Sequence, residues 1–303
     1  MKYKYLITGG AGFIGSEIAN LLGSDCIVID NLTTGKETNL NKQIKLEVGD
    51  IRNIQFLENV FKLYRPERII HLASQIDASL SIVNPNLDAE INILGSINIL
   101  NMAAKYACKN IILASSAAVY GDNKNLPLKE NETLNPLNPY GISKMTIESY
   151  AKFFYKNYGL NYVILRFSNV YGAKQNSNAE CGAIAIFTNR LMNNNDVTIY
   201  GKGKQTRDFI YVKDVANATI IASQNNKVGT YNVSTNEVTS INHLVNIMKD
   251  VYKSSSNINH AEKRNGEIMH SCLDNKKIIK DFDWTPLYSL QTGLSDMRSN
   301  LKK

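Results

Sequence analysis

Thr8-Gly9-Gly10-Ala11-Gly12-Phe13-Ile14-Gly15 is the stretch that decides the fold. It stands between a short apolar run, Tyr5-Leu6-Ile7, and a segment from Phe13 to Leu22 whose apolar residues recur every three or four positions. Such a run reads as a strand and such a spacing as an amphipathic helix. A loop without Cβ atoms lets a pyrophosphate approach backbone N–H groups, and the helix N-terminus adds a favourable dipole. Gly10, Gly12 and Gly15 satisfy Gly-x-Gly-x-x-Gly, a weak pattern alone that becomes strong in a strand-turn-helix setting. Gly9, Gly12, Phe13, Ile14 and Gly15 are therefore candidate contacts for a dinucleotide.

Outward from this turn the alternation continues. Cys26–Ile29, Ile44–Val48, Arg68–Leu72, Ile111–Leu113 and Tyr162–Leu165 read as strands, several of them apolar on both faces, which implies a parallel sheet. Ile54–Tyr64, Ala89–Tyr106 and Ser143–Tyr158 carry helical spacing and read as the crossovers. The expected fold is α/β, a doubly wound parallel sheet with its ligand at the carboxyl ends of the strands. Past Asn169 the regularity weakens, and polar stretches such as Lys174–Glu180 and Ser254–Asn265 interrupt shorter elements. The division predicted is a dinucleotide-binding domain over 1–169, to which a segment near 208–233 returns, and a smaller C-terminal domain over 170–303 that binds mainly the substrate.

Asp30 ends the second strand, 21 residues after Gly9, where a carboxylate can accept from ribose hydroxyls and repel a 2′-phosphate. That favours NAD over NADP. Gly49-Asp50-Ile51 closes the third strand and places Asp50 where an adenine amino group would lie, although Gly-Asp is also ordinary turn chemistry.

The chain has 303 residues, 44% of them hydrophobic and 20% charged, enough for one large α/β unit or two coupled domains and too apolar for wholesale disorder. No apolar run approaches the roughly 18 residues of a membrane span, and Met1-Lys2-Tyr3-Lys4-Tyr5 leads straight into strand-like sequence, so a cytoplasmic protein with no membrane partner is expected. Cys26, Cys108, Cys181 and Cys272 are too scattered for a metal site and read as reduced thiols. The net charge of +7 is spread without a basic helix or finger spacing, which argues for a solvated surface rather than nucleic-acid binding.

Tyr140 and Lys144 stand four residues apart at the start of a helical segment, so one face carries both. A phenol with a pKa near 10 is a poor base at neutral pH, and an adjacent ammonium together with an oxidised nicotinamide favours its ionised form. Lowering it by about three pH units takes roughly 4 kcal/mol. Tyr120/Lys124 and Tyr200/Lys204 share the spacing but run into turn residues. Ser115 and Ser116 end the Ile111–Leu113 strand, where a hydroxyl can bridge a substrate alcohol and Tyr140. Ala117 and Ala118 follow, so no acidic residue stands directly after Ser116.

These residues resemble the extended short-chain dehydrogenase/reductase family, whose dinucleotide unit is the Rossmann fold, and within it the nucleotide-sugar epimerases of the UDP-glucose and UDP-N-acetylglucosamine 4-epimerase kind. The likeness spans nearly the whole chain. It includes Asp30-Asn31-Leu32, His71-Leu72-Ala73, Ser115-Ser116-Ala117-Ala118-Val119-Tyr120-Gly121, Tyr140-Gly141-Ile142-Ser143-Lys144, Leu165–Gly172 and Ile199–Phe209. The resemblance implies NAD as cofactor, with Asn31, Ile51, Leu72, Ala73, Ser74, Asn92 and Phe167 added to its contacts. It implies hydride removal from sugar C4 while Tyr140, aided by Ser116 and Lys144, takes the hydroxyl proton, and return of the hydride to the other face of a transient 4-keto sugar. Asn169, Arg207 and Arg264 match positions that hold the nucleotide diphosphate, and guanidinium groups suit such anions.

The usual Arg-Pro-Gly-Asp is here Arg264-Asn265-Gly266-Glu267, so ribose contact by Glu267 departs from the pattern. Ser271 corresponds to the position that in the resembling epimerases borders the sugar C2 substituent and can carry a bulky aromatic, so the resemblance implies that N-acetylated UDP-sugars are accepted alongside, or in preference to, plain hexoses. Related dehydratases and decarboxylases place an acid after the catalytic Ser or Thr, which Ala117 and Ala118 are not, and epimerisation is favoured over them and over a reductase. A non-catalytic NAD sensor is disfavoured by the Tyr140/Lys144 pair. Relatives commonly pair two such helices into a four-helix bundle, and a homodimer through Ala89–Tyr106 and Ser143–Tyr158 is expected.

Overall fold

A computed structural model describes residues 2–175, 182–263 and 268–301. The first six strands are β1 Tyr5–Thr8, β2 Cys26–Asp30, β3 Lys45–Val48, β4 Arg68–His71, β5 Asn110–Ser116 and β6 Asn161–Phe167. Shorter strands follow at β7 Asn169–Tyr171, β8 Val197–Tyr200, β9 Thr206–Arg207, β10 Phe209–Tyr211, β11 Gly229–Val233, β12 Thr239–Ser240 and β13 Ile258–Ala261. The helices are α1 Phe13–Leu22, α2 Ile54–Tyr64, α3 Ala78–Val83, α4 Pro85–Ala89, α5 Ser96–Lys105, α6 Pro139–Tyr158, α7 Ala183–Met192, α8 Val212–Gln224, α9 Ile241–Tyr252, α10 Lys276–Phe282 and α11 Leu290–Leu301. Among the described residues no helix is long and apolar enough to cross a membrane.

Seven strands form one parallel sheet in the order β11-β6-β5-β4-β1-β2-β3. This is the doubly wound Rossmann sheet, and the order reverses between β1 and β4, which opens a crevice at their carboxyl ends. Alternation along each strand divides the core. Tyr5, Ile7, Val28, Ile70, Ile112 and Val163 point to the face covered by α1 and α8, whereas Leu6, Ile27, Ile29, Ile69, Ile111 and Ile164 meet α2, α5 and α6. Fully burying each such side chain contributes on the order of 1.5–3 kcal/mol, so a one-residue slip of any strand would invert both layers.

A second core of Ile184, Leu191, Val197, Leu244, Val245, Met248, Leu294 and Met297 holds α7, α9 and α11 together beyond the carboxyl ends of the sheet. Two short two-stranded pairings, β7 with β10 and β12 with β9, stand apart from the main sheet. Ser254–Asn265, expected as a polar interruption, contains β13, which pairs with β8 because backbone hydrogen bonding needs no apolar side chains. The long helix expected over Ala89–Tyr106 starts earlier and runs without a break from Pro85 to Lys105, with a π-helical turn at Glu90–Gly95 joining α4 to α5. The helix expected at Ser143 begins at Pro139. Asn138 caps it by accepting from Gly141 N at 2.9 Å, and proline is suited to the first helical position.

Candidate active site

The turn between β1 and α1 is shaped by close backbone contacts. Gly9 has φ +68°, and a Cβ there would lie 2.7 Å from the Ala73 nitrogen; at Gly15 it would lie 2.2 Å from the Gly9 carbonyl oxygen. Neither position admits a side chain, which locks the turn against the end of β4 and the start of α1. Gly12 differs, since a Cβ there would meet only the Gly9 oxygen, at 3.2 Å. It is also the helix cap and supplies no side-chain acceptor to the first turn, where Phe13 and Ile14 begin. An open glycine at an uncapped helix N-terminus is the cradle a pyrophosphate fits.

Thr8 and His71 brace this cradle from below. The Thr8 hydroxyl lies 2.6 Å from His71 Nδ1, His71 Nε2 lies 2.8 Å from Ser96 Oγ, and Ser96 donates to the Asn92 carbonyl at 2.6 Å. Burial drives His71 down to about 3, so the ring is neutral and acts as a fixed strut. Leu72 N donates to the Thr8 carbonyl and Ala73 N to the Thr8 hydroxyl, which holds both beside the glycine turn.

Asp30 sits at the end of β2. Its Oδ2 accepts from Ala11 N at 2.9 Å and its Oδ1 from Leu32 N at 2.8 Å, leaving lone pairs on both oxygens for ribose hydroxyls. Leu32 is held at φ +59°, a left-handed conformation that costs a branched residue of order 1–3 kcal/mol and that sequence reading did not anticipate. Asp50 is more occupied than expected. Oδ1 accepts from Arg52 N and Nε, Oδ2 from Arg52 NH2 and Asn31 Nδ2, and the Arg52 guanidinium holds the carboxyl down at about 2. An adenine amino group would have to share or displace one of these donors. Ile51 is buried and packs on Gly95, where a Cβ would come within 2.6 Å of its Cδ1.

At the carboxyl end of β5, Ser116 accepts from Ala118 N at 3.2 Å and faces the Tyr140 phenol in a contact that favours phenolate. One turn along α6, Lys144 is buried, donates to the Ala114 carbonyl at 3.0 Å and lies 5.8 Å from the centroid of the Tyr140 ring. Burial brings Lys144 down to about 8. It also pushes the Tyr140 phenol up, with Asp88 adding to the rise and Ser116 opposing it. The expectation that the neighbouring ammonium lowers the phenol is thus corrected for the chain alone, because desolvation outweighs the favourable contacts. The positive charge of an oxidised nicotinamide is the remaining influence able to reverse this.

Asn92 stands in the π-helical turn, accepting from Ser74 Oγ at 2.8 Å and Gln75 N at 2.7 Å and donating to Ser143 Oγ at 3.2 Å. Single π turns recur at functional sites because the extra residue redirects a side chain. Phe167 ends β6 beside Ser116. Across the crevice, Asn169 N donates to the carbonyl of Asp208 at 2.9 Å, and Ser271 N to the carbonyl of Thr206 at 3.2 Å. The residues on either side of Arg207 therefore tie Asn169 and Ser271 to its strand. Arg264 and Glu267 lie outside the described residues.

Two supports went unnoticed in the sequence. Arg166 makes a buried pair with Glu148 at 2.6 Å, and Ser115 donates to the same carboxylate at 2.6 Å, fastening α6 to β5 and β6. Asp208 is fully buried and accepts from the backbone N–H groups of Thr235, Asn236 and Leu273, which fixes the loops around Arg207. Both read in sequence as ordinary charged residues; only their placement inside otherwise apolar strands and helices could have flagged them. The thiols of Cys26, Cys108 and Cys272 are buried and free, and burial raises each to about 12. Among the described residues no cluster suited to a metal ion occurs.

A glycine turn opening a helix, a carboxylate at the end of the second strand and a Ser/Tyr/Lys set at one sheet crevice are the arrangement of an NAD-dependent enzyme of the short-chain dehydrogenase/reductase type. The chain belongs to the NAD-dependent epimerase/dehydratase family, whose sequence profile matches residues 5–234, and its cofactor is NAD. It is 42% identical over 293 residues to a protein of Methanocaldococcus jannaschii provisionally named a UDP-glucose 4-epimerase, covering 95% of each chain. A solved UDP-glucose 4-epimerase of Thermotoga maritima with UDP-glucose superposes with TM-score 0.95 at 36% identity, covering 100% of this chain and 99% of that one. A UDP-N-acetylglucosamine 4-epimerase of Methanobrevibacter ruminantium in complex with UDP-N-acetylmuramic acid superposes with TM-score 0.94 at 33% identity and the same coverage.

Proposed function

We propose that this protein interconverts the C4 epimers of a UDP-sugar, taking UDP-glucose/UDP-galactose and also UDP-N-acetylglucosamine/UDP-N-acetylgalactosamine. The observation that carries the reading is the meeting of Ser116, Tyr140 and Lys144 at the carboxyl end of β5, alongside the glycine cradle. NAD, when bound, supplies a reversible hydride acceptor; Gly9, Gly12, Gly15 and Asp30 would hold it, with Leu72, Ala73 and Ser74 along its edge. Tyr140 takes the proton of the C4 hydroxyl and returns it after the transient 4-keto sugar has turned. Ser116 bridges that hydroxyl and the phenol without bearing charge. Lys144 keeps a positive charge one helical turn from Tyr140, which favours phenolate once the cofactor's own charge is present.

Residues 1–169 with 208–233 serve in this reading as the NAD-binding part. The rest of 170–303 binds the nucleotide sugar, with Arg207 and Asn169 on the diphosphate. The two alanines after Ser116 favour epimerisation over elimination or decarboxylation, and the small Ser271 leaves room for an N-acetyl group. A homodimer is part of the proposal, because Leu94 near α5 and Tyr150, Phe153 and Tyr158 on α6 leave apolar surface in water.

The test is incubation with UDP-glucose, UDP-N-acetylglucosamine and UDP-glucuronate and chromatography of the products. A C4 epimer with no net change in NAD absorbance is expected, and loss of water or carbon dioxide would overturn the reading. Tyr140→Phe should retain NAD and lose turnover by roughly 10²-fold or more.

A further inference from the structure

Asp88, on α4, has no role in the chemistry assigned above, yet it is 1% exposed. Its Oδ2 accepts from Gln75 Nε2 and from Asn92 Nδ2, both at 3.0 Å, while the same Asn92 amide donates to Ser143 Oγ at 3.2 Å and the Ser143 hydroxyl donates to the Tyr140 carbonyl at 2.9 Å. Its Oδ1 is buried with no partner among the described residues. Burial raises this carboxyl above its ordinary range, and with one oxygen unsatisfied it holds a charge only against a nearby counter-charge or ample hydrogen bonding.

The counter-charge can be found by elimination. Two cationic side chains are buried among the described residues, Arg166 and Lys144. Arg166 is engaged by both oxygens of Glu148, at 2.9 and 2.6 Å. Lys144 instead donates to a carbonyl, and no described carboxylate forms an ion pair with it. The buried acids Asp30, Asp208, Asp214 and Asp274 accept from backbone N–H groups elsewhere, Asp274 also pairing with the Lys276 ammonium at 3.9 Å. Asp88 is the carboxylate left over on this side of the sheet, joined through the Asn92 amide to Ser143, the residue next to Lys144.

Resting on the reading that Tyr140 and Lys144 carry the proton chemistry, we propose that Asp88 is a positioning residue for that pair: a buried anion that balances the Lys144 ammonium and, through Gln75 and Asn92, ties the turn after β4 to α6. The π-helical turn makes this possible, because it sets the Asn92 amide between the Asp88 carboxylate, four residues earlier, and Ser143 on α6. The Gln75 side chain completes the tie by donating to Asp88 and to the Asp77 carbonyl while accepting from Asp77 N.

The surroundings leave few other charges to consider. Lys144 and Tyr140 face Asp88 from α6, and its field favours the protonated form of both. His71, reached through Ser96 and the Asn92 carbonyl, is neutral. Asp77 caps α3 at Leu80 N, and Glu90 turns outward to Arg52.

The experiment uses the NAD-loaded protein and its Asp88→Asn variant. Ionisation of Tyr140 is followed by near-ultraviolet difference absorbance against the matching Tyr140→Phe protein, a readout that needs no turnover. Removing a negative charge at this range lowers neighbouring pKa values, so the phenol should titrate roughly one pH unit lower in Asp88→Asn. Both limbs of the kcat profile should move to lower pH, with KM changing less than about twofold. An unmoved phenol titration in a folded variant would overturn the proposal, even if stability had fallen, since a purely structural role predicts only the latter. Should the amide not be accommodated against the Gln75 and Asn92 donors, Asp88→Ser is the second variant, with the same displacement expected and the same overturning result. A wild type that binds NAD but makes no epimer would instead sink the proposed activity and leave the titration standing.

Discussion

Lys144→Met is expected to make the cofactor-free protein more stable near neutral pH while removing its turnover. Lys144 is buried, and desolvation lowers it from an ordinary 10.5 to about 8. Because the folded-state value lies below the unfolded one, the unfolded chain holds this proton more tightly, and folding at pH 7 confines a charge that water solvates better. Below about pH 8 the group is protonated in both states and the full cost applies. Between 8 and 10.5 the folded amine is neutral and the cost fades, and above 10.5 none remains. The difference of about 2.5 pH units, at roughly 1.36 kcal/mol each, comes to about 3 kcal/mol. Methionine fills similar volume without a charge but leaves the Ala114 carbonyl without its 3.0 Å donor, a loss of about 1 kcal/mol. The variant should therefore gain about 2 kcal/mol at pH 7 and lose about 1 kcal/mol above pH 10.5. Urea unfolding of both proteins at the two pH values, analysed for midpoint and slope, measures this directly. A variant less stable than wild type at pH 7, or a difference that does not change with pH, would refute the desolvation argument.

Three further outcomes are expected. Asp30→Ala should weaken NAD binding and narrow the preference over NADP, because it removes an acceptor for ribose hydroxyls and a charge that repels a 2′-phosphate; titration with both cofactors measures it, and an unchanged ratio counts against the role. Ser271→Tyr should abolish turnover of N-acetylated UDP-sugars while sparing plain hexoses, by filling the space beside the sugar C2 substituent; equal loss of both would reject the gatekeeping role. Phe153→Glu should give a monomeric mass by light scattering at micromolar concentration where the wild type gives a dimer, since it buries a charge in the proposed apolar contact. A monomeric wild type would end that idea.

The sheet and its first helices were legible because two periodicities, alternation in strands and three-to-four spacing in helices, are local properties of the chain, and α1 and α2 begin and end where their apolar pattern does. Gly9 and Gly15 were legible for a similar reason, since a position that no side chain can occupy admits only one residue type. The Tyr140/Lys144 spacing was visible, but its electrostatics were not. Whether a phenol rises or falls depends on how much water the fold removes and on charges from other segments, and Asp88 reaches the site from 52 residues away in sequence. The π-helical turn at Asn92, the left-handed Leu32 and the pairing of β13 with β8 likewise left no local pattern. The π turn and the β13–β8 pairing are stabilised by partners distant in the chain, so the physical reason for them exists only once those partners have been brought together, whereas Leu32 is held by the Asp30 carboxylate two residues before it.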